Sequence, residues 1–306
     1  MLQGVAPLDH LGVIRAEGED AAKFLHGQLT HDFALLDLAQ ARLCAFLSAK
    51  GRMQASFIGF KRSPTEVWLV CQRDLLAATL KRLSMFVLRA KVRLSDASAE
   101  LRIAGLAGDA INSIAGSAQP MWLKADFGSA SVVHLPPAAG QPRALWVAPA
   151  AEALPAGAPL DPALWAWGEV HSGVATLSAP LVDAFVPQML NYESVDGVHF
   201  QKGCYPGQEV VARSQYRGTL KRRMFLFDVD AEARAGQELF HSADPGQPAG
   251  LVANAARRPG GGSRVLAEVK LAALEAGSLH LGDAAGPVMA RQALPYDVPV
   301  ESASAA

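Results

Sequence analysis

The residues with the most chemistry to offer lie together at 202–209, where the chain reads Lys202-Gly203-Cys204-Tyr205-Pro206-Gly207-Gln208-Glu209. Pro206 has the backbone angle of a first helical turn, and residues 208–212 can continue a helix, so Cys204 is expected just ahead of a helix amino terminus. The helix dipole and the ammonium of Lys202 both favour thiolate over thiol there. Such a cysteine can be a nucleophile or a metal ligand. A buried packing cysteine in a tight, glycine-flanked turn satisfies the same string. Immediately downstream, Arg213, Arg217, Lys221, Arg222 and Arg223 form the densest cationic stretch of the chain. Helix and strand spacing keep them from all facing one ligand. They make either a solvated face or a grip for an anionic tail, a partner protein or nucleic-acid phosphates.

The remaining candidates carry weaker signals. The other two of the three cysteines, Cys44 and Cys71, fall inside apolar stretches and read as packing residues. No C-x-x-C pair occurs, which argues against a disulfide framework and a cysteine zinc site and fits a reducing, cytoplasmic compartment. The eight histidines include no H-E-x-x-H arrangement, and His26 and His31 are poorly spaced to share a helical face. Gly260-Gly261-Gly262 lacks a following Lys-Ser/Thr and reads as a hairpin turn rather than a phosphate loop. No serine has a nucleophile-elbow context.

The elements that must position these residues follow from local pattern. Residues 10–17 read as a strand, and Gly18 turns the chain into a helix over 20–29, with Asp20 as N-cap and Phe24, Leu25 and Leu29 at helical spacing. Segments 41–47 and 53–60 form a hairpin turned at 48–51, and a third strand, 66–71, leads into an amphipathic helix over 74–88. Strands near 91–95 and 100–106, a short helix over 109–115 and strands near 130–135 and 143–148 follow. The Ala/Pro/Gly-rich stretch 149–162 reads as a surface connection, and a helix over 162–172 comes after it. From 220 to 294 the chain turns to short β-rich pieces between Gly/Pro turns, the pattern of a small antiparallel barrel.

Composition bounds the class. Of 306 residues, 50% are hydrophobic and 19% charged, and 28 Lys plus Arg against 29 Asp plus Glu leave a net charge of −1. Those values exclude intrinsic disorder and the global basic field of a dedicated nucleic-acid binder. The amino terminus lacks the basic-then-apolar order of a secretory signal, and no apolar run is long enough to span a bilayer. Length alone suggests two or three domains.

The string K-G-C-Y-x-G-Q-E resembles the signature of the YgfZ-type folate-binding proteins, relatives of the glycine-cleavage T-protein. The likeness extends upstream through Pro187-Gln188, Asn191 and Gly197-Val198-His199-Phe200, and downstream through Val211-Ala212-Arg213, Arg217-Gly218 and Lys221-Arg222. Near the start, Gly18, Asp20-Ala21 and 24–30 (FLHGQLT) look like the family's first helix, and Lys50-Gly51-Arg52-Met53 like its hairpin turn. It spans most of residues 8–295.

The resemblance implies an α+β fold of the T-protein type: two ferredoxin-like α/β lobes and a carboxy-terminal antiparallel β-barrel around a central folate cleft. It implies a discontinuous folate-binding domain (1–50 with 150–218), a ferredoxin-like domain (51–149), a barrel (219–296) and a flexible tail (297–306). It further implies tetrahydrofolate as ligand and a role in maturing or repairing 4Fe–4S proteins, including those of tRNA modification. Cys204 is then the reactive thiol, and Lys202 lowers its pKa. Gly203 and Gly207 permit the turn, and Tyr205, Gln208 and Glu209 hold the local hydrogen-bond frame.

Trp165 resembles a tryptophan that folate contacts; as a core anchor for its helix it is equally well explained. Arg213 and Arg217 are the candidates for the folate tail. A second family tryptophan is replaced by Leu11, and His171 stands where relatives commonly carry glutamate. The T-protein's catalytic aspartate, in a Gly-x-x-x-Asp pattern, is missing: this chain reads Gly51-Arg52-Met53-Gln54-Ala55-Ser56, and neither Ala55 nor Ser56 can manage a proton at a folate nitrogen. With three cysteines far apart in sequence, any 4Fe–4S cluster would be transient and shared with an iron–sulfur protein or assembly factor. The alternatives are a folate-dependent one-carbon transferase, and a tRNA-binding modification factor resting on the 213–223 cations.

Overall fold

The computed structural model describes residues 1–116, 119–216 and 220–299. In chain order it begins with β1 (Gly4–Pro7), β2 (Leu11–Glu17), α1 (Ala21–His26), β3 (Ala41–Leu47), β4 (Met53–Ser63), β5 (Glu66–Gln72) and α2 (Arg73–Ser84). Next come β6 (Arg93–Asp96), β7 (Leu101–Ala107), α3 (Asp109–Ala115), β8 (Lys124–Phe127), β9 (Ala130–Ala138) and β10 (Gln141–Pro149). The rest comprises α4 (Pro162–His171), short 3-10 turns at Pro187–Leu190 and Tyr192–Val195, and α5 (Gln208–Tyr216). Strands β11 (Arg222–Val229), β12 (Glu238–His241), β13 (Asp244–Arg257), β14 (Ser263–Lys270), β15 (Leu279–Leu281) and β16 (Ala290–Gln292) complete it.

Three antiparallel sheets organise these elements: β3-β4-β5-β2-β6, β1-β7-β10-β9-β8 and β15-β12-β13-β14-β11-β16. The first two, with their helices, are the α/β lobes. The third is a curled, partly open barrel. Burial follows the two-residue period of a strand. Along β11, Met224 and Leu226 face the central core while Phe225, Phe227 and Val229 fill the barrel's own core with Leu239, Val252, Val265 and Val269. β10 instead reads as a continuous apolar run because both of its faces are covered. Leu145 and Val147 join the central core, and Ala144, Trp146 and Ala148 pack with Ala110 and Ile111 of α3.

Several local expectations change in detail. The first helix stops at His26, and the Asp20 side chain does not cap it; Asp20 Oδ2 accepts from the Lys91 backbone N–H at 2.8 Å and ties the helix to the segment leading into β6. The second helix ends at Ser84, short of the expected 88. The 149–162 connection is pinned at its end, where Val5 N–H donates to Ala158 O and Leu160 N–H to Val5 O, each at 2.9 Å. The 50/51 boundary falls at the tip of the β3–β4 hairpin, so residues on either side of it share one sheet. Among the described residues no helix is long and apolar enough to cross a membrane.

Candidate functional site

Cys204 is exposed, whereas Cys44 and Cys71 are buried, and the 202–209 segment around it is built from the inside out. Lys202 lies beneath the loop, 8% exposed, donating to His26 O at 2.5 Å and Leu29 O at 2.9 Å. Its ammonium sits 4.4 Å from the centre of the buried Tyr205 ring, a cation–π contact that holds both side chains under the cysteine. The upstream arm is locked to the same 26–32 turn: Thr30 Oγ1 donates to Gly197 O at 2.7 Å and His199 N–H to Thr30 O at 2.9 Å. His26 Nε2 occupies the side where a Cβ on Gly203 would lie, 3.0 Å from it, and its Nδ1 lies 3.1 Å from Asp32 Oδ1. Burial works against the Asp32 carboxylate, yet the Leu35 N–H and His26 hold its pKa below the usual value.

The loop's shape comes from glycine. α5 starts at Gln208, so Pro206 precedes it rather than opening its first turn, and Gly207 between them has φ +79°. Gly51, at the hairpin tip, has φ +70° and packs directly on Gly207 and Val210. The two polar residues of the upstream arm then fasten α5 and β11: Gln188 Nε2 donates to Val211 O at 2.7 Å, and Asn191 Nδ2 to Met224 O at 2.8 Å. No side-chain hydrogen bond is made by Tyr205, Gln208 or Glu209 among the described residues. The frame is made by Lys202, Thr30, Gln188 and Asn191 instead.

Burial pulls the Lys202 pKa down from 10.5 to about 8, against the attraction of Asp32. The folded chain therefore releases this proton before the unfolded chain does. The cost of burying the charge is in full force below about pH 8 and fades as pH rises toward 10.5. Urea denaturation of wild type and Lys202→Met is expected to show the stability difference shifting toward the wild type across that window. A difference that stays flat with pH would contradict a buried ammonium.

The basic stretch divides. Arg222 donates from Nη1 to both carboxylate oxygens of Glu268, at 2.7 and 2.8 Å, and Arg223 is buried against Glu193 and donates to Gln188 O. Arg213 and Lys221 are exposed, while Arg217 lies outside the described residues.

A cavity lies between the two lobes and α4, and residues 202–209 do not line it. Leu11, Leu43, Phe57, Ile58, Val70 and Leu145 give it apolar walls, and Glu169 is the carboxylate on its rim. Ser56 is also on the wall, its Oγ accepting the Leu177 N–H at 2.8 Å; Ala55 is buried, and neither supplies an acid. Trp165 is wholly buried in the core behind this wall, with the Arg143 guanidinium 5.0 Å from its ring centre. His171 stacks on Trp167 with centroids 5.0 Å apart and meets Arg264, and burial together with Arg264 keeps its pKa low.

Among the lining residues that sequence reasoning missed are Arg143, Trp122 and Glu169. Arg143 had a readable signal: it shares the inward face of β10 with Leu145 and Val147, a cation in an apolar row. Nothing in the local pattern marks Trp122.

Set beside known proteins, the chain matches no protein-family model. It is 32% identical over 272 residues to the "tRNA-modifying protein YgfZ" of Edwardsiella ictaluri, covering 83% of this chain and 81% of the relative. The Sodalis glossinidius protein of the same name is 28% identical, covering 95% and 92%. Among solved structures, the glycine cleavage system aminomethyltransferase T of Bartonella henselae superposes with a TM-score of 0.70 at 16% identity, covering 96% of this chain and 86% of that one, which shows a shared fold. With such identity sustained over four-fifths of both chains, and the signature loop formed around an exposed cysteine, the chain belongs to the YgfZ family.

Proposed function

We propose that this protein is a folate-binding accessory factor of the cytoplasm that helps to mature or repair 4Fe–4S proteins, among them enzymes of tRNA modification, with Cys204 as its reactive thiol. The observation that carries the reading is the exposed Cys204 standing on a buried, hydrogen-bonded frame. A packing cysteine would be covered, and an incidental surface cysteine would not have a buried lysine, two close-packed glycines and the 26–32 turn committed to its loop. The names of the relatives point the same way, toward tRNA modification.

Tetrahydrofolate, when bound, supplies a reduced pterin whose nitrogens carry one-carbon units. The lining of the inter-lobe cavity has the chemistry such a ring needs: apolar walls with the polar side chains of Gln72, Arg143 and Glu169 among them. Leu11, Phe57 and Val70 would hold the faces of the ring and exclude water. With Ala55 and Ser56 where the T-protein has its acid, β4 offers no proton carrier at the folate nitrogen, which favours binding over aminomethyl transfer. Cys44 and Cys71 are buried, so this chain offers a cluster one thiolate, Cys204, and a partner must provide the rest.

Titration with tetrahydrofolate, followed by tryptophan fluorescence and repeated with Trp165→Phe, tests the folate part. Saturable quenching in the wild type is expected, and its persistence in Trp165→Phe would assign Trp165 to the core. Absence of any response confirmed by calorimetry would overturn folate binding.

A further inference from the structure

The tip of the β3–β4 hairpin carries a second concentration of charge, beside the Cys204 loop. An open hollow of about 640 Å³ lies there, lined by Ser48, Ala49, Lys50, Arg52, Arg82 and Asp183. Two of its three cations are fixed by hydrogen bonds. Arg52 Nη1 donates to Ala184 O at 2.7 Å, and Arg82 Nη1 donates to Oε1 of the buried Gln54 at 2.9 Å. Lys50 stands exposed at the turn itself. Among the described residues no carboxylate lies within ion-pair distance of the three. Asp183 accepts from the Gln54 amide, and Glu268, which attracts Arg52, is paired with Arg222.

The hollow adjoins Cys204 through the hairpin tip. Ser48 O and Gly51 pack against Gly207, three residues past the cysteine, and Val210 of α5 rests on Gly51. Arg213 lies one turn further along α5, exposed and without an ion-pair partner among the described residues. Exposed aromatic rings flank these cations. Phe86, four residues after Arg82, is 42% exposed and meets Phe46 edge to face; Tyr216, at the end of α5, is 70% exposed and meets Phe200 the same way. Among the described residues the one other large aromatic side chain so exposed is Phe127.

A single unpaired surface cation is ordinary. Four of them, from three separate segments around one hollow, make a local positive field on a chain whose net charge is −1. A guanidinium held by one N–H keeps the rest of its fork for an oxyanion, and such forks between exposed rings suit a sugar–phosphate backbone whose bases can stack. The hollow is too open to enclose one small ion. We propose that Lys50, Arg52, Arg82 and Arg213 form a phosphate-binding face that takes the backbone of an RNA chain, with Phe86 and Tyr216 as stacking surfaces. The face lies beside the exposed Cys204 and goes beyond the folate and iron–sulfur reading without depending on it. Arg222 and Arg223 are not part of it, being committed to Glu268 and Glu193. Exposed Met85 and Leu88 beside Phe86 suit an acidic protein surface, which is the competing occupant.

The test is fluorescence-anisotropy titration of the full chain with labelled bacterial tRNA and, separately, labelled poly-glutamate, across a salt series. Wild type is expected to bind tRNA with a log–log salt slope of roughly −3 to −4, as four phosphate contacts require. Lys50→Gln and Arg82→Gln are each expected to weaken binding roughly five- to eightfold at about 0.1 M salt and to make the slope shallower by just under one. Phe86→Leu is expected to weaken binding at least about fivefold with the slope unchanged. Arg257→Gln, on the barrel sheet, is the control and should bind as wild type. Arg82→Gln loses the bond to Gln54; should it fail to fold, Lys50→Gln, whose side chain makes no hydrogen bond among the described residues, keeps the test intact.

Equal tRNA binding by wild type, Lys50→Gln and Arg82→Gln would overturn the site, as would absence of tRNA binding at the lowest salt. Poly-glutamate bound more tightly than tRNA, with the loss in the same variants, would overturn RNA in favour of an acidic protein. Inorganic phosphate that displaces tRNA at constant ionic strength, where chloride does not, would overturn the RNA chain in favour of a free phosphate ion. Each of these results leaves the folate titration unaffected.

Discussion

Iodoacetamide added to the native protein is expected to label Cys204 and leave Cys44 and Cys71 reacting at least about a thousandfold more slowly, at the rate set by opening of the core. The difference is one of access and ionisation. Cys44 is fully buried on β3 with its Sγ facing Phe57 O, and burial pushes its thiol pKa upward. Cys71 is 3% exposed, and burial, reinforced by Asp96 and Asp74, raises it to about 12. Peptide mass spectrometry over a time course reads the hierarchy directly, and all three sites should label in urea. Labelling of Cys71 on the Cys204 timescale would contradict its burial on the cavity wall.

Gly207→Ala is expected to cost about 3 kcal/mol: about 1–2 for a side chain at left-handed φ and a similar amount for overpacking. The clash is with backbone, which cannot turn away. A Cβ at 207 would lie 2.5 Å from Ser48 O and 2.8 Å from Gly51 Cα. The hairpin tip must therefore separate from the start of α5, and the loop carrying Cys204 loses its support. Gly246→Ala, where a Cβ meets nothing within 4 Å, is the control and should change stability little. Urea denaturation of the two variants checks the difference; equal stabilities would show that the tip and the loop are not packed as described.

Much of this was legible in the residues, for identifiable reasons. The hairpin at 41–60, the strand at 66–71 and the helix over 162–172 are local, set by turn residues and a two- or 3.6-residue period, and the structure has them close to where the pattern places them. Asp20 illustrates the limit: its position at the head of α1 is local information, but its hydrogen bond to Lys91 depends on a strand pairing seventy residues away. The contact of Gly51 with Gly207 is of the same kind. Each glycine reads as a turn residue, and only the fold shows that the two turns touch.

The candidate site was legible in the same uneven way. Lys202 two residues from Cys204 suggested a neighbouring ammonium, while its burial against His26 O and Leu29 O belongs to tertiary structure. The 213–223 cations look alike in sequence, yet Arg222 and Arg223 are committed to Glu268 and Glu193. Trp122 owes its place on the cavity wall to a left-handed backbone that no residue pattern announces.

The central claim is that the work of this protein runs through the thiol of Cys204. The most direct measurement is the activity of a 4Fe–4S enzyme in a bacterial strain lacking its own family member, supplied with either the wild-type chain or Cys204→Ala at equal protein level. The wild type is expected to restore the activity and Cys204→Ala to leave it at the empty-strain level, with an unchanged melting temperature because the side chain is exposed. Full restoration by Cys204→Ala would remove the thiol from the mechanism and contradict the account.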